Sequence, residues 1–161
     1  MKAITKLVIA TLLVSSYWVA GQAMAAEGYG KQKVVYHINY DNPKQQAGAL
    51  RNIQNHINAV GAENLDLKVV LHGNGLALLL EPEALDKLKK FKHANADEKM
   101  TAKVTDLKGQ GVDFHVCANT VRGRKVDVET DLYDVAKEDI VPSGVAEVAK
   151  LQAMGYSYIK P

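Results

Sequence analysis

The only cysteine of the 161-residue sequence, Cys117, lies where a predicted strand gives way to a predicted helix. Residues 112–117 form a compact, mostly apolar segment typical of a buried strand, and residues 118–122 lead through a turn into a short helix. The thiolate is the reactive form of cysteine, and helix N-termini and nearby cations lower the pKa of a thiol. The position therefore predicts a reactive thiol, with a buried structural cysteine as the alternative.

The residues after Cys117 are of types that can tune its reactivity. We predict that Asn119 or Thr120 caps the short helix that follows. The thiol then lies close to the unpaired N–H groups of the first helical turn. Arg122 or Arg124 can fold back and add positive charge. Such a site favours anionic sulfur, either a thiolate or a persulfide.

Histidines offer a second chemistry near the cysteine. His115 lies two residues before Cys117, so both side chains point to the same face of the strand. They can form a thiolate–imidazole pair, or His115 can be a packed strand residue. His37, His72 and Cys117 are candidate metal ligands, but metal sites usually need three or four ligands and nothing in the spacing demands one. We therefore predict neither a metal nor another cofactor.

Strand-like and helical segments alternate along the chain. Compact apolar runs indicate strands, and apolar residues at three- and four-residue spacing indicate helices. The predicted strands are 33–38, 65–71, 112–117, 140–141 and 156–159. The predicted helices begin at Pro43, at Pro82, at Asp97 and after Ser143. This alternation predicts a three-layer α/β/α fold with a mainly parallel sheet of about five strands.

Ligands of such folds bind outside the carboxyl ends of the strands, which meet at one edge of the sheet. The residues placed at this edge follow the first four strands: His37, the loop His72-Gly73-Asn74-Gly75, Cys117, and the pair Ser143-Gly144. The glycine-containing loop is either an anion-binding nest or a simple turn, and Ser143 is a predicted helix cap. We expect these groups to gather around the thiol.

Two further helical patterns predict which side chains face the core and which face solvent. The last helix carries Val145, Val148, Leu151 and Met154 at helical spacing, so we expect this stripe to be buried. A lysine-rich segment is predicted to form a solvated face. Its members are Lys87, Lys89, Lys90 and Lys92.

The N-terminus has the pattern of a secretory signal peptide. Residues 1–6 are basic, residues 7–21 are mostly apolar, and Ala23-Met24-Ala25 matches a cleavage site. The apolar run falls short of the about 20 residues that a membrane span needs. We therefore predict a signal peptide over 1–25, a single domain over 26–161 and no stable membrane insertion after cleavage, with an uncleaved anchor as the alternative.

Charge and cysteine content narrow the function. The formal net charge of +2 includes Lys2 and Lys6 of the signal peptide, so the mature chain is near neutral, unlike most nucleic-acid binders. One cysteine forms no internal disulfide, and a free thiol in an oxidising compartment favours a chemical use. The sequence shows no Ser–His–Asp arrangement and no phosphate-binding loop, so hydrolase and nucleotide-dependent functions lack support.

Four stretches carry a family resemblance. Residues 117–122 (CANTVR), 141–147 (VPSGVAE) and the ending 155–161 (GYSYIKP) resemble the DsrE/DsrF-like family of sulfur-relay proteins, and His72-Gly73-Asn74-Gly75-Leu76 resembles a loop of its exported members. The resemblance implies a small α/β/α domain that assembles into trimers or hexamers. It also implies that Cys117 accepts sulfur as a persulfide.

Together these observations predict a periplasmic protein that binds or transfers sulfane sulfur on Cys117. Asn119, Thr120, Arg122, His115, Ser143 and Gly144 are the predicted supporting residues. The expected partners are sulfur donor and acceptor proteins or small sulfur compounds, and no nucleic acid. The alternative is a non-catalytic binding or scaffold module for a metal or small anion at the same edge of the fold.

Overall fold

The computed structural model describes residues 28–161, so the predicted signal peptide lies outside the described residues. The sheet has five strands that all pair in parallel, in the order β4-β3-β2-β1-β5. The strands are β1 (Gln32–Ile38), β2 (Leu65–Leu71), β3 (Asp113–Cys117), β4 (Ile140–Val141) and β5 (Ser157–Ile159). Each predicted strand is present, with ends shifted by a residue or less.

Helices cover both faces of this sheet. They are α1 (Pro43–Val60), α2 (Glu98–Gly109), α3 (Ala118–Arg124), α4 (Val128–Asp131) and α5 (Gly144–Ala153). Short 3-10 helices cover Ala62–Asn64, Gly73–Leu78, Pro82–Asp86 and Lys137–Asp139. The architecture confirms the predicted three-layer α/β/α fold. Within residues 28–161, no helix is both long and apolar enough to cross a membrane.

The alternation of side chains along the strands divides the core into two unequal parts. In β3, Phe114 and Val116 join the larger cluster, which includes residues of α1 and α2. On the opposite face, Val35 and Val70 pack with Leu151 of α5 in a much smaller cluster. Because direction alternates along a strand, Cys117 shares the face covered by α5.

The first helix follows its sequence signals closely. The Asn42 side chain accepts a hydrogen bond from the Gln45 N–H at 3.0 Å, and Pro43 takes the first helical position. This combination satisfies an otherwise unpaired amide, and proline lacks the N–H that would have no partner there. Gly61 ends the helix with a φ of 88°.

The prediction for the apolar stripe of α5 was wrong at two of its four positions. Leu151 is buried and Val148 is partly buried, but Val145 is 67% exposed and Met154 is 52% exposed. Glu147 is buried in their place. Gly144 lies against His72 and Cys117, so the adjacent Val145 faces away from them, and Met154 lies beyond the last helical residue, Ala153.

Candidate functional site

Cys117 ends β3 and is also the N-cap residue of α3, with extended backbone angles of φ −73° and ψ 112°. The helix begins at Ala118, earlier than predicted. The expectation that Asn119 or Thr120 caps this helix was therefore wrong, because both residues lie within its first turn. They contribute backbone amides to the site instead.

Several hydrogen-bond donors surround the thiol. Burial by itself raises the pKa of Cys117, but hydrogen bonds from the Gly144 N–H, the Thr120 hydroxyl, and the Thr120 and Asn119 N–H groups lower it, and the net pKa lies below the usual value. These donors come from the first turns of two helices, α3 and α5. A sulfur anion at this position therefore meets fixed dipoles that favour its charge.

The close approach of α5 depends on a glycine. A β-carbon on Gly144 would lie 2.7 Å from the His72 β-carbon and 3.2 Å from the Cys117 β-carbon. Only a residue without a side chain fits between them. Ser143 caps the helix as predicted, since its Oγ accepts a hydrogen bond from the Ala146 N–H at 3.4 Å.

Cys117 lines an open cavity of about 460 Å³ at the carboxyl edge of the sheet. The lining residues are His72, Gly73, Lys90, Cys117, Asn119, Thr120, Gly123, Arg124, Ser143 and Val145. Cys117 itself is only 4% exposed. The thiol is therefore recessed at the wall of a cavity that is open to small molecules.

Of the two arginines predicted to add positive charge near the thiol, Arg124 lines the cavity and Arg122 does not. Arg122 is exposed and donates to the side chain of Asn119 on its own helix. Arg124 lines the cavity, and its Nη2 donates to Asn74 Oδ1 at 2.6 Å. Lys90 adds a second cation to the lining. Lys90 is exposed, as expected for the predicted solvated face, but it also lines the cavity, and no local sequence signal distinguishes it from its lysine neighbours.

His115 and Cys117 share a strand face, but the imidazole has another neighbour. Its Nδ1 lies 3.3 Å from Glu147 Oε1 on α5. The two groups are not oriented for a hydrogen bond. The buried Nδ1 of His115 has no hydrogen-bond partner within residues 28–161. His115 therefore packs between sheet and helix and does not line the cavity of the thiol.

Tyr158, His37 and His72 form a row of contacting side chains that leads from the sheet edge to the cavity. The Tyr158 hydroxyl lies 2.9 Å from His37 Nδ1, and His37 Nε2 lies 3.3 Å from His72 Nδ1. Burial, then His72 and Lys160, lower the pKa of His37 to about 4. Burial, then Arg124 and Lys160, lower the pKa of His72 as well. Both rings are neutral at pH 7, so Lys90 and Arg124 supply the positive charge.

Buried amides hold the loops that form this edge. The Gln46 side chain, fully buried, donates to the carbonyls of Tyr40 at 2.7 Å and Gly75 at 3.2 Å, and accepts from Asn95 at 2.7 Å. The Gly73 N–H donates to Thr120 Oγ1 at 2.8 Å. The loop after β2 is thereby tied both to α1 and to the site.

Gly75 permits the close packing of the same loop. A β-carbon there would lie 1.8 Å from the Ile38 carbonyl oxygen, so no other residue fits without a backbone shift. The predicted edge residues of this loop thus differ in role. His72 and Gly73 line the cavity, Asn74 orients Arg124, and Gly75 packs against β1.

Metal binding is not supported in the part of the chain that the structure describes. It contains no group of three or more His, Cys, Asp or Glu side chains placed to hold a metal ion. The side chains of His37 and His72 are in contact, but no third potential metal ligand among the described residues lies beside them. A larger cleft of about 700 Å³ is lined by residues of α1 and α2, and its lining contains no cysteine or histidine.

Comparison with known proteins finds a family model and a solved structure that match the chain. The model of the DsrE/DsrF-like family matches residues 32–161, a range that includes all five strands and Cys117. A solved structure described as a protein of unknown function, MTH1491 from Methanobacterium thermoautotrophicum, matches with a TM-score of 0.63 and 27% identity, over 81% of this chain and 100% of that one. No curated protein matches the chain significantly. The chain belongs to the DsrE/DsrF-like family.

Proposed function

We propose that the protein accepts sulfane sulfur as a persulfide on Cys117 and passes it to a thiol acceptor. The observation that carries this proposal is the set of donors from two helix N-termini around a recessed thiol in an open cavity. Family membership supports the same role.

The transfer needs no external oxidant. The Cys117 thiolate attacks the terminal sulfur of a donor persulfide, R–S–SH. A new sulfur–sulfur bond forms on Cys117, the donor bond breaks, and R–S⁻ leaves with the electron pair. An acceptor thiolate then attacks the terminal sulfur of the Cys117 persulfide, and Cys117 leaves as a thiolate. The donors that lower its pKa stabilise it as attacking group and as leaving group.

Intact-mass measurement tests the covalent step. We expect incubation with polysulfide or thiosulfate to add about 32 Da, one sulfur atom, which reductant removes. The Cys117→Ser variant should show no gain. If wild type gains no mass and the folded protein also resists alkylation, the thiol is structural. The protein is then better explained as a binding module for a small anion.

The compartment and the assembly belong to the same proposal. We infer a periplasmic location from the signal-peptide pattern of residues 1–25, and a trimer or hexamer from the family resemblance. Cell fractionation with N-terminal sequencing should find a chain that begins at Ala26 in the periplasm. Sedimentation should find a species several times heavier than one chain, and a monomer at all concentrations would contradict the assembly.

A further inference from the structure

A second hollow adjoins the cavity of the thiol and has a strongly basic lining. It measures about 300 Å³ and is lined by Leu88 and five cations, which we call the basic surface: Lys87, Lys89, Lys90, Arg124 and Lys125. Lys90 and Arg124 line both hollows, so the positive charge is continuous from the second hollow to Cys117. Neither lining includes a carboxylate. Outside the two linings, the buried Asp131 forms an ion pair with Lys87 at 2.6 Å and offsets one positive charge.

The two shared cations are held in place by the fold. Lys90 Nζ donates to the Gly123 carbonyl at 2.6 Å, and Arg124 Nη1 donates to the Lys90 carbonyl at 3.1 Å. The Arg124 guanidinium also lies over the Phe91 ring, 4.3 Å from its centroid. Side chains already ordered in this way lose less conformational entropy when they bind a ligand.

The extent of the charge indicates the size of the ligand. The cations in the lining of the cavity that contains Cys117 are Lys90 and Arg124. Lys89 and Lys125 line only the second hollow, which has no nucleophile. A ligand that uses both hollows must therefore be longer than a small anion, and it must carry negative charge beside its reactive group.

We propose that the basic surface docks an acidic polypeptide segment of a partner protein, which presents its thiol or persulfide to Cys117. This inference rests on the proposed function, and it names the partner by chemistry: acidic side chains flanking a cysteine. Opposite charge accelerates encounter and aligns the two sulfur atoms before exchange. The formal net charge of only +2 means that the surface is a local concentration of positive charge within a nearly neutral chain.

The test uses two synthetic peptides, each with one cysteine, flanked by glutamates in one and by glutamines in the other. Each cysteine is first coupled to thionitrobenzoate through a disulfide. The Cys117 thiolate attacks the peptide sulfur, a mixed disulfide forms, and the coloured thionitrobenzoate anion leaves with the electron pair. We expect the glutamate peptide to react about tenfold faster at low salt, and this advantage to vanish near 1 M salt. Equal rates for the two peptides at low salt would overturn the proposal.

Charge-reversed variants locate the effect. Lys89→Glu and Lys125→Glu should abolish the rate advantage of the glutamate peptide, whereas Lys99→Glu on α2, an exposed lysine that lines neither hollow, should leave it intact. An equal loss in Lys99→Glu would contradict the assignment of the docking site. If a single-stranded oligonucleotide blocks the reaction at lower concentration than the glutamate peptide disulfide does, the surface is a nucleic-acid site and the proposal fails.

This readout is separate from sulfur transfer. Disulfide exchange needs only a reactive Cys117, so the docking inference is tested even if polysulfide leaves no persulfide on the protein. Conversely, a persulfide that forms on Cys117 with no preference between the peptides would support the proposed function and reject the acidic partner. The two failures are therefore distinguishable.

Discussion

At the scale of single residues, the site depends on the backbone as much as on side chains. Cys117 occupies the N-cap position of α3. The groups that lower the pKa of its thiol are mainly the backbone amides of Gly144, Thr120 and Asn119. Only the Thr120 hydroxyl among these donors can be removed by a conventional substitution. It therefore offers the cleanest test of the electrostatics.

Replacing Thr120 with Val should lower the reactivity of Cys117. The loss of one hydrogen bond to the thiolate raises the thiol pKa, and we expect alkylation by iodoacetamide near pH 7 to slow by about threefold to tenfold. The midpoint of the rate–pH curve should move to higher pH. The hydroxyl also accepts from the Gly73 N–H, so circular dichroism must confirm a folded variant.

The matched control for this change is Thr120→Ser, which keeps the hydroxyl. Its rate–pH curve should overlay that of wild type. If Thr120→Val reacts as fast as wild type and Thr120→Ser, the hydroxyl does not stabilise the thiolate, which contradicts the assigned donor.

The sequence predicted where the thiol lies in the fold but not all of its neighbours. A cysteine at the end of an apolar strand is visible in the pattern, and so is Ser143 as a cap. The sequence named both Arg122 and Arg124 but did not decide between them, because successive residues turn by about 100° around a helix and the choice depends on where that helix begins. With α3 beginning at Ala118, Arg122 lies beside Asn119, and Arg124 reaches the cavity.

At the scale of elements, the site exists because the N-termini of α3 and α5 converge on the end of β3. The approach of α5 depends on Gly144, which lies between His72 and Cys117. The periodicity of the sequence predicted the position of α5 correctly, but it did not predict which side of the helix is buried. That side is fixed by contact with the loop after β2, which is distant in sequence, so local spacing does not reveal it.

Gly144→Ala tests the convergence of these elements. The added methyl would overlap with the His72 β-carbon at 2.7 Å, so α5 must shift outward. We expect a loss of about 1–3 kcal/mol in the free energy of unfolding, and slower alkylation of Cys117 as the Gly144 N–H retreats. Urea titration and iodoacetamide kinetics measure the two effects.

Gly48→Ala provides the contrast within α1. The nearest atom to a β-carbon at that position is the Arg51 Nη2, at 3.9 Å, so there is room. Alanine should stabilise this mid-helix position by about 0.5–1 kcal/mol and leave the thiol kinetics unchanged. A Gly144→Ala variant that behaves like Gly48→Ala would mean that α5 does not depend on the close approach.

At the scale of the whole molecule, charge and burial are distributed unevenly around one sheet edge. The larger core under α1 and α2 holds the fold, while the smaller cluster under α5 leaves room for polar groups such as His37, His115 and Glu147. The sequence established the layers, because alternation and helical spacing are local. The sequence did not indicate that Arg124 contacts Lys90, since the two residues are 34 positions apart in the chain.

The histidines of this face should make global stability depend on pH. His37 has a pKa of about 4 in the folded protein and about 6.5 when unfolded, so between these values the unfolded chain binds more protons. The free energy of unfolding should therefore rise with pH from about 4 to 6.5, and this contribution is lost as pH falls through the folded pKa. His72, whose pKa is also lowered, adds a contribution of the same sign.

The variant His37→Gln isolates the contribution of His37 to this slope. The groups that face His37 are His72, the Tyr158 hydroxyl and Lys160, and all of them remain in the variant. Because the ring is half-exposed and solvent screens it, we expect the difference in stability between pH 7 and pH 4.5 to shrink by about 1 kcal/mol. Urea titrations at both pH values measure it. Tyr158→Phe keeps the titrating ring and should keep most of the slope, so an unchanged slope in His37→Gln or an equal loss in both variants would contradict the assignment to His37.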